Sequence, residues 1–260
     1  MIHLQGILFD EKSSFLQGPA KAPPALRAAY HSASANYYSE SGLEVGPKVF
    51  EDKGDFKPAH YLDIEPITRA NLEGASGLIS FGGDHSVSYP ILKAIHQAHG
   101  PVEILHIDAH ADLYDSFEGD PHSHACPFAR IMQDGLASRL VQVGVRTLNT
   151  HQRDQAAKYG VEVVEMRHLD LGRFPVFEKP LYISVDLDAL DPAFAPGVSH
   201  HEPGGLTTRE LLHILQSVKA PIVGADIVEY NPERDINGMT AMVGAKLFRE
   251  LLSGMLSNSS

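Results

Sequence analysis

Short apolar runs alternate with stretches of helical spacing along this chain. Leu78-Ile79-Ser80-Phe81 reads as a buried strand and stops at Gly82-Gly83, a turn signal. Val87, Ile91, Leu92 and Ile95 then recur on one helical face, and Gly100-Pro101 ends that helix. A second strand follows over 102–107. Further strands are predicted over 140–145, 161–164, 181–185 and 221–227, with helices over 208–218 and from about 240 to 252. Strands that alternate with helices predict an α/β fold, a mainly parallel sheet with helices on both faces. Ligands of such sheets bind beyond the carboxyl ends of the strands. No repeat or low-complexity linker interrupts the pattern, so one domain over 1–260 is expected. The tail Ser257-Asn258-Ser259-Ser260 reads as frayed.

Polar residues that carry chemistry sit where these strands end. In Ile107-Asp108-Ala109-His110-Ala111-Asp112, the residues Asp108, His110 and Asp112 are spaced i, i+2, i+4. In extended backbone they share one face. Clustered carboxylates repel, so the arrangement is costly without a cation. A solvated Asp/His loop is the bland alternative, and the buried strand that feeds the segment argues against it. Ser184-Val185-Asp186-Leu187-Asp188 places Asp186 and Asp188 on a common face after another apolar strand. A lone Asp-x-Asp is as often a turn or cap; its weight here comes from the first segment. Asp191, before Pro192, reads as a turn former. Gly82-Gly83-Asp84-His85-Ser86 supplies His85 after a sharp bend. Four carboxylates and two imidazoles suit Mn²⁺ better than the thiolate sets of structural zinc, and six ligands exceed the needs of one catalytic zinc. Two ions about 3.5–4 Å apart can share bridging carboxylates and make hydroxide available at neutral pH.

Composition narrows the partners. The chain has 260 residues, 43% of them hydrophobic, enough for one sizeable core. Its net charge is −12 and it has no dense Lys/Arg run, which argues against a nucleic-acid partner. An acidic surface suits a cationic small substrate. The one cysteine, Cys126, permits no intrachain disulfide and fits a reducing compartment. It reads as a small buried hydrophobe rather than a redox thiol. No apolar run spans a bilayer and no basic leader precedes a long apolar stretch, so no membrane partner and a cytoplasmic location are expected.

Gly-Gly-Asp-His-Ser at 82–86, Asp-Ala-His-Ala-Asp at 108–112 and Ser-Val-Asp-Leu-Asp-Ala-Leu-Asp-Pro-Ala-Phe-Ala-Pro-Gly at 184–197 resemble the three signatures of the ureohydrolases, the arginase and agmatinase family. The likeness runs from about Phe9 to Ala241. It implies a three-layer α/β/α sandwich and hydrolysis of a guanidino substrate to urea and an amine. It implies two Mn²⁺ per chain, one held by His85, Asp108, Asp112 and Asp186, the other by Asp108, His110, Asp186 and Asp188. Asp108 and Asp186 then bridge. Glu229, in Asp226-Ile227-Val228-Glu229, matches the carboxylate that pairs with the guanidinium. His124 matches the proton-shuttling His, although His-Ala stands here where the family has His-Gly, and His122 is the alternative. The family also implies a homo-oligomer, trimer or hexamer.

The substrate is read from the loop after Asp112. Asp112-Leu113-Tyr114 resembles agmatinases more than animal-type arginases, with Tyr114 a substrate contact. No Lys or Arg lies between Asp112 and His124, while Asp115, Glu118 and Asp120 do, and an acidic rim repels a substrate carboxylate. The expectation is agmatine, hydrolysed to putrescine. The alternative is arginine, hydrolysed to ornithine, because Gly197-Val198-Ser199-His200 and the Ser-His-Ala run resemble plant-type arginases; other guanidino acids stay open. His200 and His201 read as pocket rim or loop packing. A deacetylase-like amide hydrolase would use a single zinc, and a catalytically dead homologue would release no urea.

Overall fold

Eight strands build one sheet: β1 (Ile2–Ile7), β2 (Phe50–Phe56), β3 (Gly77–Phe81), β4 (Val102–Ile107), β5 (Ala137–Val145), β6 (Glu162–Glu165), β7 (Leu181–Asp186) and β8 (Ile222–Val228). Their order is β2-β1-β3-β8-β7-β4-β5-β6, and every pairing in it is parallel. This is the computed structural model of the chain, and it describes residues 1–258.

Successive residues of a strand point to opposite faces, and each face has its own core. Ile79, Leu105 and Ile183 pack with Leu26 of α1 (Ala22–Tyr30), Leu211 of α6 (Thr208–Ser217) and Phe248 of α7 (Met239–Ser257). Their neighbours Leu78, Ile104 and Tyr182 pack on the other side. There they meet Ile64 of α2 (Ile64–Leu72), Ile91 of α3 (Ser88–His99), Phe128 of α4 (Pro127–Gln133) and Ala156 of α5 (Thr150–Tyr159). The result is the expected three-layer α/β/α sandwich. Local signals agree with it. Thr207 and Glu210 form a capping box at the start of α6, and α3 stops at Gly100, whose φ is 73°.

The strand positions read from the periodicity lie within about three residues of those found. Two strands escaped it. β1 carries His3 and Gln5 among its apolar residues, and both are buried and bonded far along the chain: His3 Nδ1 to Asn71 O at 2.7 Å, Gln5 Nε2 to Thr68 and Ser80 hydroxyls at 3.0 Å. β2, Phe-Glu-Asp-Lys-Gly-Asp-Phe, is a polar edge strand. The closing helix runs on through Ser257 rather than fraying there; Ser259 and Ser260 lie outside the described residues.

The four central strands, β3, β8, β7 and β4, are neighbours with level ends. Phe81 pairs with Ile227, Ile227 with Val185, and Val185 with Ile107. The residues that follow these four positions therefore emerge side by side at one carboxyl edge. They begin the segments that carry His85, Glu229, Asp186 and Asp108.

Candidate metal centre

His85 is brought to this edge by a turn that only glycine permits. A Cβ on Gly83 would stand 1.6 Å from Phe9 O, so a side chain there would displace the chain leaving β1. Asp84 is fully buried and its carboxylate accepts from Ser86 N at 3.1 Å, capping the short helical turn that holds His85. Burial, and then the charge of Glu229, push the Asp84 carboxyl up to about 6.

The six residues read as metal ligands converge. His85 Nδ1 lies 3.1 Å from Asp108 Oδ2, 3.2 Å from Asp112 Oδ2 and 3.1 Å from Asp186 Oδ2, yet has no hydrogen-bond partner among the described residues. A nitrogen lone pair and three carboxylate oxygens aimed at one point form a donor set for a cation. His110 Nδ1 lies 3.1 Å from Asp188 Oδ2 and 3.4 Å from Asp108 Oδ1. Asp108 thus faces both histidines, one oxygen to each. Burial raises the Asp186 carboxyl well above its ordinary range, and the charges of Asp188 and Asp108 raise it further. Burial alone would lower His85 and His110, but the surrounding carboxylates hold both well above the usual imidazole range. The cluster therefore demands positive charge, which divalent cations supply. Asp112 adopts φ 49° and Glu229 φ 61°, left-handed backbone that a side chain enters at a cost; strain of this kind concentrates at functional sites.

Several contributors were missed. His106 touches the same cluster: its Nε2 is 2.8 Å from Asp108 Oδ2. Gln142 Nε2 donates to His106 Nδ1 at 3.0 Å and to Ala111 O at 2.6 Å. That amide contact puts the imidazole hydrogen on Nε2, so both ring nitrogens are committed and His106 orients Asp108 instead of ligating. On the other flank, His85 Nε2 is 2.9 Å from Ser184 Oγ, which donates to Asp226 Oδ1 at 2.6 Å; Tyr182 and Ser88 hydroxyls donate to Asp226 Oδ2, each at 2.7 Å. The signals were present, since His106 precedes Asp108 by two and Ser184 precedes Asp186 by two, on the shared strand face.

Above the cluster opens a cavity of about 220 Å³ whose lining includes His110, Asp186, Asp188, Tyr114, His124, Thr147, Gln152, His200 and Glu229. Glu229 Oε1 accepts from His85 N at 2.9 Å and from His124 Nδ1 at 2.8 Å; Oε2 is buried with no partner among the described residues. Burial pushes Glu229 up, but His124 more than offsets it and holds the carboxyl below its ordinary range. Burial likewise lowers His124, and Glu229 reverses this, pushing the imidazole up to about 9. His122 is packed elsewhere, its ring 5.2 Å from Tyr61 and 6.0 Å from Tyr89. Cys126 is buried, and burial pushes its thiol up to about 12, as for a packing residue.

The acidic rim does not form at the cavity. Asp120 pairs with Lys12 at 2.7 Å, and Asp115 lies 3.2 Å from His151 with its side chain 61% exposed. Glu118 occupies a left-handed turn position with φ 52°. None of the three lines the cavity. Tyr114 does, and its hydroxyl accepts from Asn149 Nδ2 at 2.6 Å.

Fold and site together define a doubly wound α/β protein with a carboxylate-histidine cluster that could hold metal at the carboxyl edge of its sheet. The chain belongs to the arginase family of ureohydrolases, whose profile matches residues 1–254. It is 48% identical to "Arginase 1, mitochondrial" of Arabidopsis thaliana over 95% of this chain and 79% of that one. It is 34% identical to the N(1)-aminopropylagmatine ureohydrolase of Thermus thermophilus over 90% of this chain and 84% of that one. Its fold matches the solved arginase from Medicago truncatula with a TM-score of 0.91 and 42% identity, covering 98% of this chain and 87% of that one. The family's members are binuclear manganese enzymes that act on small guanidino substrates.

Proposed function

We propose that this chain hydrolyses arginine to ornithine and urea with two Mn²⁺ held at the cluster. The observation that carries the reaction class is the unpartnered Glu229 Oε2 in the same cavity as the six converging ligands. Arginine, rather than agmatine, is supported by the likeness to plant arginases and by the absence of Asp115, Glu118 and Asp120 from the cavity lining. Urea release with Mn²⁺ from arginine, agmatine and guanidino acids, measured side by side, tests it.

In this reading His85, Asp108, Asp112 and Asp186 would hold one ion, and His110, Asp108, Asp186 and Asp188 would hold the other. Bound there, the ions supply a water made nucleophilic at neutral pH. Glu229 takes the cationic guanidinium in a charge-assisted contact through Oε2 and fixes its carbon over the cluster. His124, kept protonated by Glu229, gives its proton to the departing amine. Tyr114 meets the outer part of the substrate. The homo-oligomer and the reducing, cytoplasmic compartment belong to the same reading; light scattering and fractionation check them.

His124→Ala should lower kcat by about 10²–10⁴-fold, the usual contribution of proton transfer, with metal content unchanged. His122→Ala should leave kcat within about threefold of the parent. If His122→Ala is the damaging change, the proton donor is misassigned.

Stripping the metal should cost stability as well as activity. A ligand held at a hundred times its Kd stabilises the native state by about 2.7 kcal/mol per site. At roughly 2–4 °C per kcal/mol for a chain of this size, chelation should lower Tm by at least about 5 °C, and Mn²⁺ should restore it. An unchanged Tm after verified metal removal counts against a resident metal centre.

A further inference from the structure

The His124 ring is bound on two sides, and only one partner belongs to the machinery described so far. Nδ1 faces Glu229. Nε2 faces Ser14, with its backbone N–H at 3.1 Å and its hydroxyl oxygen at 2.8 Å. Ser14 is exposed whereas His124 is 8% exposed, so the hydroxyl stands between a buried ring and solvent. Its position is built in. Lys12 N and Ser13 Oγ donate to the buried Asp84 Oδ2 at 3.0 and 3.3 Å, and Lys12 O accepts from His124 N at 3.2 Å. Lys12 and Ser13, just ahead of Ser14, are thereby tied to the turn after β3, and Lys12 also to the His124 loop.

The two Ser14 groups answer different states of the ring. A backbone N–H can only donate, so it suits the neutral imidazole with a lone pair at Nε2. A hydroxyl rotates. It donates to that lone pair, and it accepts from Nε2–H once the ring is charged. We propose that Ser14 is the positioning residue for His124: its hydroxyl accepts Nε2–H of the imidazolium and so keeps the ring charged, with Nδ1–H, held at Glu229 Oε1, as the proton that is given. Four other groups act on the same ring. Glu229, from the end of β8, Asp84, from the turn after β3, and Asp112, after β4, all favour the imidazolium. The His200 ring, 5.5 Å away, has burial as its main influence and is held below its ordinary range, so it adds no standing charge. Without the hydroxyl, the Ser14 N–H would oppose the Nε2–H, and the ring would release its proton at lower pH.

The test rests on the proposed reaction and uses the Mn²⁺-loaded full chain with saturating arginine. Ser14→Ala should move the alkaline limb of the kcat–pH profile down by about one unit, roughly the value of one hydrogen bond to a charged group. In numbers, kcat stays within about twofold of the parent at pH 7 and is about tenfold lower at pH 10. Ser14→Thr, which keeps the hydroxyl, should restore the parent profile. A Ser14→Ala profile that matches the parent, a loss equal at every pH, or a threonine variant as impaired as the alanine one overturns the role. If the parent chain releases no urea from any guanidino substrate, the reaction and this role fail together; if the parent turns over, only Ser14 is in question.

Discussion

Asp108→Asn should remove at least about 10³-fold of kcat/KM, more than any other single ligand change, and leave fewer than two Mn²⁺ per chain. Its two oxygens lie 3.1 Å from His85 Nδ1 and 3.4 Å from His110 Nδ1, so one carboxylate serves both donor sets. An amide there replaces an anionic oxygen by an NH₂ that points hydrogens at a cation. It also disrupts the contact with His106, whose Nε2–H needs an acceptor. Loss of several kcal/mol of metal-derived stabilisation corresponds to the stated factor at about 1.36 kcal/mol per tenfold. Asp186 is the other residue that the family likeness assigns to both ions; its Oδ1 accepts Asp188 N at 2.8 Å much as Asp108 Oδ1 accepts His110 N at 2.6 Å, but its Oδ2 faces His85 whereas Asp108 faces His85 and His110 both. His85→Asn, by contrast, weakens one set only, so its loss should be at least tenfold smaller than that of Asp108→Asn, and excess Mn²⁺ should recover part of it. Kinetics with elemental analysis of the purified variants decide the order. Equal, mild losses for both would show that Asp108 is not shared.

The central strands were legible because their chemistry is local. Ile107 to Asp112 announces a buried strand, a shared face and a set of ligands in one stretch, and the register that sets Ile107 beside Val185 and Ile227 only has to level the ends. What was not legible depends on partners distant in sequence. β1 owes its buried Gln5 to Thr68, Ser80 and Asn71, and no window of the sequence contains all three. Ser14 meets His124 across 110 residues. The left-handed backbone at Asp112 and Glu229 is also silent in the sequence, since neither residue is a glycine. The acidic loop misled for a related reason. Counting Asp115, Glu118 and Asp120 gives their charge but not their direction, and it omits Lys12, which reaches Asp120 from the far end of the chain segment.

That correction sets the expected substrate preference. Arginine differs from agmatine by an α-carboxylate, which must leave water at the outer end of the cavity. With Asp120 neutralised by Lys12, Asp115 turned to solvent beside His151 and Glu118 outside the lining, none of the three acids of this loop opposes it there. Neutral groups are present instead: the cavity is lined by Thr147, whose hydroxyl donates to Ala109 O at 3.3 Å and can turn to donate to a carboxylate, and by the Gln152 amide. Gln152 Oε1 is buried without a partner among the described residues, an acceptor suited to the ammonium that both substrates carry. The guanidinium end and the ammonium are thus common to the two, and discrimination falls on the carboxylate. A hydrogen bond to a charged group is worth about 1.5–3 kcal/mol, so even one such contact favours arginine by at least roughly tenfold in kcat/KM. Agmatine, which leaves those donors unused, should still be turned over, but with the larger KM. Thr147→Val should narrow the gap by raising KM for arginine while leaving agmatine nearly unchanged. A parent enzyme that hydrolyses agmatine as efficiently as arginine, or a Thr147 variant that affects both alike, would place the specificity elsewhere than in the neutral lining of this cavity.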